Sequence, residues 1–210
     1  MRLTLHSVHV GQPAAIGEMD GALVISAISK KPVSATTISL LEATLDGDGV
    51  ADRRVHGGPD KAVYAYPKDH WDWWTAEAGL KTFPGAFGEN LTLEGATEHE
   101  VQIGDLFKWG DALLQVSQPR APCYKFRMYT GHDDAAAHMT ISGKCGWYFR
   151  VLQTGTVPTS GVLERIETGA GASVYMAFMA AFNRRFSADT RAQIAADPAL
   201  AADWRKMLTA

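Results

Sequence analysis

Leu106-Phe107-Lys108-Trp109-Gly110-Asp111-Ala112-Leu113-Leu114-Gln115-Val116 contains two strand-like runs joined by a Gly-Asp pair, and reads as a β-hairpin. It delivers the chain to Ser117-Gln118-Pro119-Arg120-Ala121-Pro122-Cys123-Tyr124-Lys125, where one cysteine stands between two prolines and two cations. Pro122 fits the first position of a helix, where its missing N–H costs nothing. The expectation is a helix running through Tyr129 with Cys123 in its first turn. A thiol there feels the positive end of the helix dipole together with Arg120 and Lys125, and all of these favour the thiolate. Thiolate is the form that attacks, carries sulfur or binds a metal. A free cysteine is more often packed and inert, and the residues alone leave both readings open.

On the N-terminal side, the apolar alternations Leu3/Leu5, Leu23/Ile25 and Ile38/Leu40 are separated by Gly, Pro and Ser. That pattern predicts short strands of a sheet or barrel rather than long helices. Asp46-Gly47-Asp48-Gly49-Val50-Ala51-Asp52 superficially resembles a calcium loop. It lacks the required glycine position and the closing bidentate Glu, so a turn with hydrogen-bonding Asp side chains is expected instead. Arg53-Arg54-Val55-His56-Gly57-Gly58-Pro59-Asp60-Lys61 pairs two glycines, which allow close backbone approach, with donors and positive charge. Such a loop suits an oxyanion, though a Gly-Gly-Pro turn is commonly structural, and the glycine–lysine spacing is not that of a P-loop. A strand, Ala62 to Tyr66, follows directly.

Pro67 opens an expected helix, Lys68 to Ala78, closed by Gly79. Its Trp71 and Trp74 share a face with Thr75 and Ala78, a stripe that reads as core packing rather than a cofactor platform. Phe87-Gly88-Glu89-Asn90 precedes a strand at Leu91-Thr92-Leu93. Asn90 is placed either to orient a ligand or to satisfy a turn. His132 and His138, near Asp133 and Asp134, lack metal-ligand spacing. Cys145, in Gly143-Lys144-Cys145-Gly146-Trp147-Tyr148, is either a resolving thiol for Cys123 or a packed neutral one. Gly161 to Ile166 reads as a last strand. Beyond Gly171 the texture becomes helical: Ser173 to Phe182, a run capped by Ser187 through Ala195, and a third from Pro198 to near Leu208. Arg184/Arg185 and Arg205/Lys206 are offset by Asp189, Asp197 and Asp203, so this trio presents no basic face for DNA.

The 210 residues suffice for one sizeable domain with a small appendage, and a net charge of −3 gives no polybasic character. Nucleic acid is therefore not an expected partner. Two cysteines form no disulfide framework, which fits a reducing, cytoplasmic setting. Met1 to His6 lacks the apolar run of a signal peptide, and no stretch is apolar enough to span a bilayer, so a soluble protein without a membrane partner is expected.

Three stretches taken in order, His56-Gly57-Gly58-Pro59-Asp60-Lys61-Ala62-Val63, Phe87-Gly88-Glu89-Asn90-Leu91 and Ser117 to Lys125, resemble the MOSC domain, the C-terminal domain of molybdenum-cofactor sulfurases. Gly146-Trp147-Tyr148 and the helical tail are similar to its YiiM-type bacterial branch, and the resemblance covers nearly the whole chain. It implies a mainly β, α+β fold: a barrel-like MOSC domain over 1–167 and a three-helix C-terminal domain over 168–210. It also implies a pterin-based molybdenum cofactor ligated by Cys123, and reduction of small N-hydroxylated substrates such as 6-hydroxylaminopurine. Electrons would come from an external flavin or iron–sulfur reductase, in agreement with a chain that has no cluster cysteines and no dinucleotide fingerprint. The residues expected to bind the cofactor are His56, Gly57, Gly58, Asp60, Lys61, Asn90, Arg120 and Lys125. A soft thiolate suits molybdenum, and convergent donors suit a phosphate tail. Two other roles fit the same thiol: a persulfide carrier served by a pyridoxal-phosphate desulfurase, and a non-catalytic carrier of the cofactor.

Overall fold

Leu3 and Leu5 are buried while Arg2, Thr4 and His6 face solvent, the period-2 pattern of a strand with one side on the core. The computed structural model, which describes residues 1–52, 57–183 and 185–210, makes this strand, β1 (Arg2–Val10), one stave of a closed barrel. The other strands are β2 (Ala14–Met19), β3 (Ala22–Ser26), β4 (Lys31–Pro32), β5 (Thr37–Leu40), β6 (Val63–Pro67), β7 (Leu91–Glu94), β8 (Leu106–Trp109), β9 (Ala112–Pro119), β10 (Trp147–Gln153), β11 (Gly155–Pro158) and β12 (Gly161–Glu167). The barrel order is β12-β8-β9-β10-β6-β7-β1, closed by pairing of β1 with β12. Every neighbouring pair in it is antiparallel except β6 and β7. A parallel pair needs a long crossover, and helix α1 (Trp71–Ala78) lies in that connection.

The expected hairpin is present: Trp109 pairs with Ala112 across Gly110-Asp111, and Gly110 takes the positive φ of 56° that the tight turn requires. Phe107, Trp109, Leu114, Val116, Trp147 and Phe149 fill the barrel interior, fully buried. The remaining helices are α2 (Tyr124–Thr130), α3 (Ala135–Ser142), α4 (Val174–Phe182), α5 (Ala188–Ala195) and α6 (Ala202–Thr209). Ser173 and Ser187 cap α4 and α5 as their sequence positions predict, each accepting a backbone N–H at 3.1 Å. Val174, Phe178, Trp204 and Leu208 belong to the same buried cluster as the barrel core, and Ala201 N–H donates to the Ser117 carbonyl at 2.9 Å.

Several local expectations are corrected. Cys123 lies just before α2 in extended backbone (φ −135°, ψ 164°), as the cap residue, so Pro122 does not begin the helix. A cap residue takes β-region angles while its carbonyl accepts the first helical bond, here from Phe126 N–H at 3.0 Å. The Lys68–Ala78 helix opens as a 3-10 turn, Lys68–His70, before α1. The third tail helix starts at Ala202 rather than Pro198, because Asp197 Oδ1 accepts Ala199 N–H at 2.8 Å and holds a turn. Leu23 and Ile25 are in a strand, but they are the outward residues, 68% and 41% exposed, while Val24 and Ser26 turn inward. The tryptophan stripe packs as core: Trp74 is fully buried and its indole N–H donates to the Tyr66 hydroxyl.

Candidate functional site

The entry of β10 decides where the site lies. Gly146 has φ 68°, and a Cβ there would come 2.3 Å from the Ala65 carbonyl oxygen, so only glycine lets this segment reach β6. The close approach aligns Tyr148 of β10 beside Tyr64 of β6, with ring centroids 5.1 Å apart. It also lets the Gly146 carbonyl accept Arg120 N–H at 3.3 Å, just past the end of β9. Arg120 therefore leaves the barrel rim pointing into the protein rather than into water.

Its surroundings are unusual for a guanidinium. Arg120 is only 5% exposed, and its carbon lies 4.6 Å from the Phe126 ring centroid and 5.6 Å from that of Tyr64. Nη1 reaches the Met139 sulfur at 3.0 Å, and no carboxylate pairs with it among the described residues. Burial works against the charged form, but the nearby Tyr64, Cys123 and Tyr148 groups favour it and raise the pKa further. The result is a buried, permanently charged cation without a carboxylate partner among the described residues.

Arg120 lines a cleft of about 810 Å³, mouth included, at the rim of the barrel. Its walls come from Ser26–Lys30 after β3, the Thr44–Ala51 loop, the 3-10 turn Pro59–Lys61, Phe87–Asn90 before β7, and the β9–α2 connection. Four cations, Lys30, Lys61, Arg120 and Lys125, face a single carboxylate, Asp48, among the described lining residues. Tyr64 and Tyr148 supply aromatic surface, with both hydroxyls held in the neutral form by burial above all.

The residues expected from sequence divide into those the fold brings together and those it does not. Cys123, Arg120, Lys125, Lys61, Asn90 and Gly57 all line the cleft. Cys123 is a free, partly exposed thiol, whereas Cys145 is sealed, its Sγ 3.2 Å from the Gly146 carbonyl oxygen, and burial pushes its pKa well up. Lys125 Nζ donates to the Ile25 carbonyl at 2.9 Å, and Lys61 Nζ lies 3.3 Å from Asp203 Oδ2 of α6. Asp60 turns its carboxylate away to Arg150, at 2.8 Å, and Gly58 gives its carbonyl to Lys61 N–H at 3.0 Å. His56 lies outside the described residues.

Asn90 is a strut. Its amide donates to the His9 carbonyl at 3.1 Å and to Asp48 Oδ2 at 2.8 Å, while its oxygen accepts Tyr64 N–H at 3.0 Å. Both of its amide protons and its oxygen are thus engaged by protein. Sequence reasoning missed Lys30, which meets Asp48 at 2.5 Å across 18 positions of chain, with the two side chains 8% and 5% exposed. Asp48 was legible only as a turn aspartate, and nothing local marks Lys30.

The fold and cleft define a class: a seven-stranded barrel presenting one partly exposed thiol in a cationic, aromatic-walled cleft. The MOSC domain family profile matches residues 52–169. Protein YiiM of Escherichia coli K12 is 38% identical over 187 residues, covering 87% of this chain and 83% of that protein. The crystal structure of YiiM from Geobacillus stearothermophilus superposes with a TM-score of 0.81 at 36% identity, covering 98% of this chain and 97% of that one. A protein of Gibberella moniliformis named a reductase is 39% identical over 117 residues, 52% of this chain and 21% of its own length. The chain belongs to the MOSC domain family, on its YiiM-like branch. Among the described residues no helix is long and apolar enough to cross a membrane.

Proposed function

We propose that this protein is a molybdenum-cofactor-dependent reductase of N-hydroxylated compounds such as 6-hydroxylaminopurine. It works in the reducing cytoplasm, with electrons from a separate flavin or iron–sulfur reductase. One observation carries the reading: among the described residues the buried Arg120 cation has no carboxylate partner, and it lines the same cleft as the partly exposed Cys123. A buried charge without a counter-ion is expensive, and a bound anion is what offsets it. The donor set fits an anionic metal cofactor for a second reason. No group of three or more His, Cys, Asp or Glu side chains that could hold a metal converges among the described residues, so the soft ligand this cleft would offer a cofactor-borne metal is the Cys123 sulfur.

In this reading Cys123 is the sulfur ligand, and the bound cofactor supplies two-electron chemistry at the metal. Arg120, Lys61, Lys125 and the Gly57 backbone bind its phosphate and pterin oxygens. Asn90 acts indirectly, holding Tyr64 and Asp48 in place, and the Gly58–Asp60 turn presents Lys61. Residues 1–167 form the cofactor-holding unit, and 168–210 form a helical domain whose Asp203 meets Lys61. The named reductase from Gibberella moniliformis, matched over part of its length, is consistent with this chemistry.

The test is expression in a host that makes molybdenum cofactor, followed by metal and pterin analysis and an assay of 6-hydroxylaminopurine reduction. Stoichiometric molybdenum with turnover is the expected result. Cyanide-labile sulfur on Cys123 without molybdenum would instead make the protein a sulfur carrier for a pyridoxal-phosphate desulfurase. Molybdenum without turnover would make it a cofactor carrier.

A further inference from the structure

Lys30, among the four cations described in the cleft lining, is ion-paired inside the cleft itself, to Asp48. It follows a tight turn in which Lys30 N–H donates to the Ile28 carbonyl at 3.0 Å, and its side chain lines the cleft nine-tenths buried. Asp48 grips the ammonium at 2.5 Å and is itself fixed by Gly11 N–H at 2.7 Å and Asn90 Nδ2 at 2.8 Å. The groups whose charge acts on this corner are Asp48, Glu89 and His9. Burial pushes the lysine pKa down, and Asp48 first and then Glu89 oppose that.

Resting on the reductase reading, we infer that Lys30 is the proton donor to the departing hydroxyl, with Asp48 as the residue that positions it. The overall step is R–NHOH + 2 e⁻ + 2 H⁺ → R–NH₂ + H₂O. The N–O bond breaks, the external flavin or iron–sulfur reductase supplies both electrons, and the nitrogen takes its proton from solvent. The oxygen takes its proton from Lys30 and leaves as water rather than as hydroxide. Hydroxide is a far stronger base than an amine, so an ammonium in contact with the leaving oxygen removes the hardest part of the cleavage. Lys30 then recovers a proton through the open mouth.

Among the other lining donors, Tyr64 donates its hydroxyl to the Cys145 carbonyl at 2.8 Å, Lys125 Nζ and Lys61 Nζ are drawn to the Ile25 carbonyl and to Asp203, and a guanidinium does not give up its proton, which leaves Tyr148 as the rival. Asp48, itself held by Gly11 and Asn90, has the complementary duty of opposing the burial that lowers the Lys30 pKa.

Two measurements test this. In the cofactor-free protein, competitive labelling with trace acetic anhydride across pH reads the proton on Lys30 against the exposed Lys206. We expect Lys30 to titrate below Lys206, and Asp48→Asn to move it lower still. Lys30 titrating with Lys206, or unmoved by Asp48→Asn, overturns the pair. In the loaded enzyme, Lys30→Arg keeps the charge but not a transferable proton. We expect molybdenum content and KM to be retained and kcat to fall by about 10²-fold or more. Undiminished turnover in Lys30→Arg, or turnover abolished by Tyr148→Phe instead, sinks this assignment alone. Molybdenum-loaded wild-type protein that reduces no N-hydroxylated compound sinks the reductase reading, and the proton donor with it.

Discussion

The Arg120 guanidinium stands over the Phe126 ring, 4.6 Å from its centroid, where a carboxylate would ordinarily be expected to meet a buried arginine. The aromatic face offers some attraction for the cation but not the neutralisation of an anion. The arrangement therefore sets ligand affinity against apoprotein stability.

Arg120→Met should separate the two. Removing an uncompensated buried charge leaves the apoprotein as stable as before or more so, while cofactor retention falls about 10- to 100-fold, the scale of one charge-assisted hydrogen bond. Thermal melts of the empty protein and molybdenum content of the loaded one check both halves. A variant that melts lower and keeps its molybdenum contradicts this account of Arg120.

The two thiols should behave oppositely. Cys123→Ser is expected to abolish molybdenum retention and reduction, because it removes the sole sulfur lining the cleft among the described residues. Cys145→Ser should leave both nearly intact, at a stability loss on the order of 1 kcal/mol for a polar oxygen in a sealed site. Equal loss of activity in the two variants would mean a dithiol mechanism.

Lys61→Ala should weaken cofactor retention without unfolding the chain, since the Asp203 end of its ion pair is largely exposed and such a pair adds little stability. The check is molybdenum content at matched folded fraction, read by circular dichroism. A variant that only melts, with cofactor affinity unchanged in what stays folded, removes the oxyanion role.

His9 predicts an acid-side loss of stability. Burial first, then Lys30 and His6, lower its pKa from 6.5 to about 4. The unfolded chain binds this proton near pH 6.5 and the folded one only near 4, so the unfolded state holds more protons in between. Stability from the neutral ring is complete above pH 6.5 and falls as pH drops toward 4, by roughly 3 kcal/mol in all. Urea unfolding of wild type and His9→Leu at pH 7 and pH 4.5 measures it; parallel losses in the two proteins would exclude His9 as the source.

Much of the barrel was readable because its signals are short-range. The Leu106–Val116 hairpin, the caps at Ser173 and Ser187 and the strand at Val63–Pro67 each rest on residues within a few positions of one another. The same locality explains the misses. Leu23 and Ile25 alternate properly for a strand, but period alone does not say which face meets the core. Pro122 satisfies a helix start as well as the turn before one, and only packing selected the latter.

By itself the sequence determined that this chain is a β-rich protein with a helical tail and a cysteine set among prolines and cations, because strand period, turn residues and capping are properties of neighbouring residues. Tertiary structure alone decided that Lys30 meets Asp48, that Asn90 is spent on the fold, that Asp60 turns away to Arg150, and that Arg120 has no carboxylate partner among the described residues. Those outcomes depend on which distant segments close around a buried charge, and burial is a property of the whole barrel that no window of sequence contains.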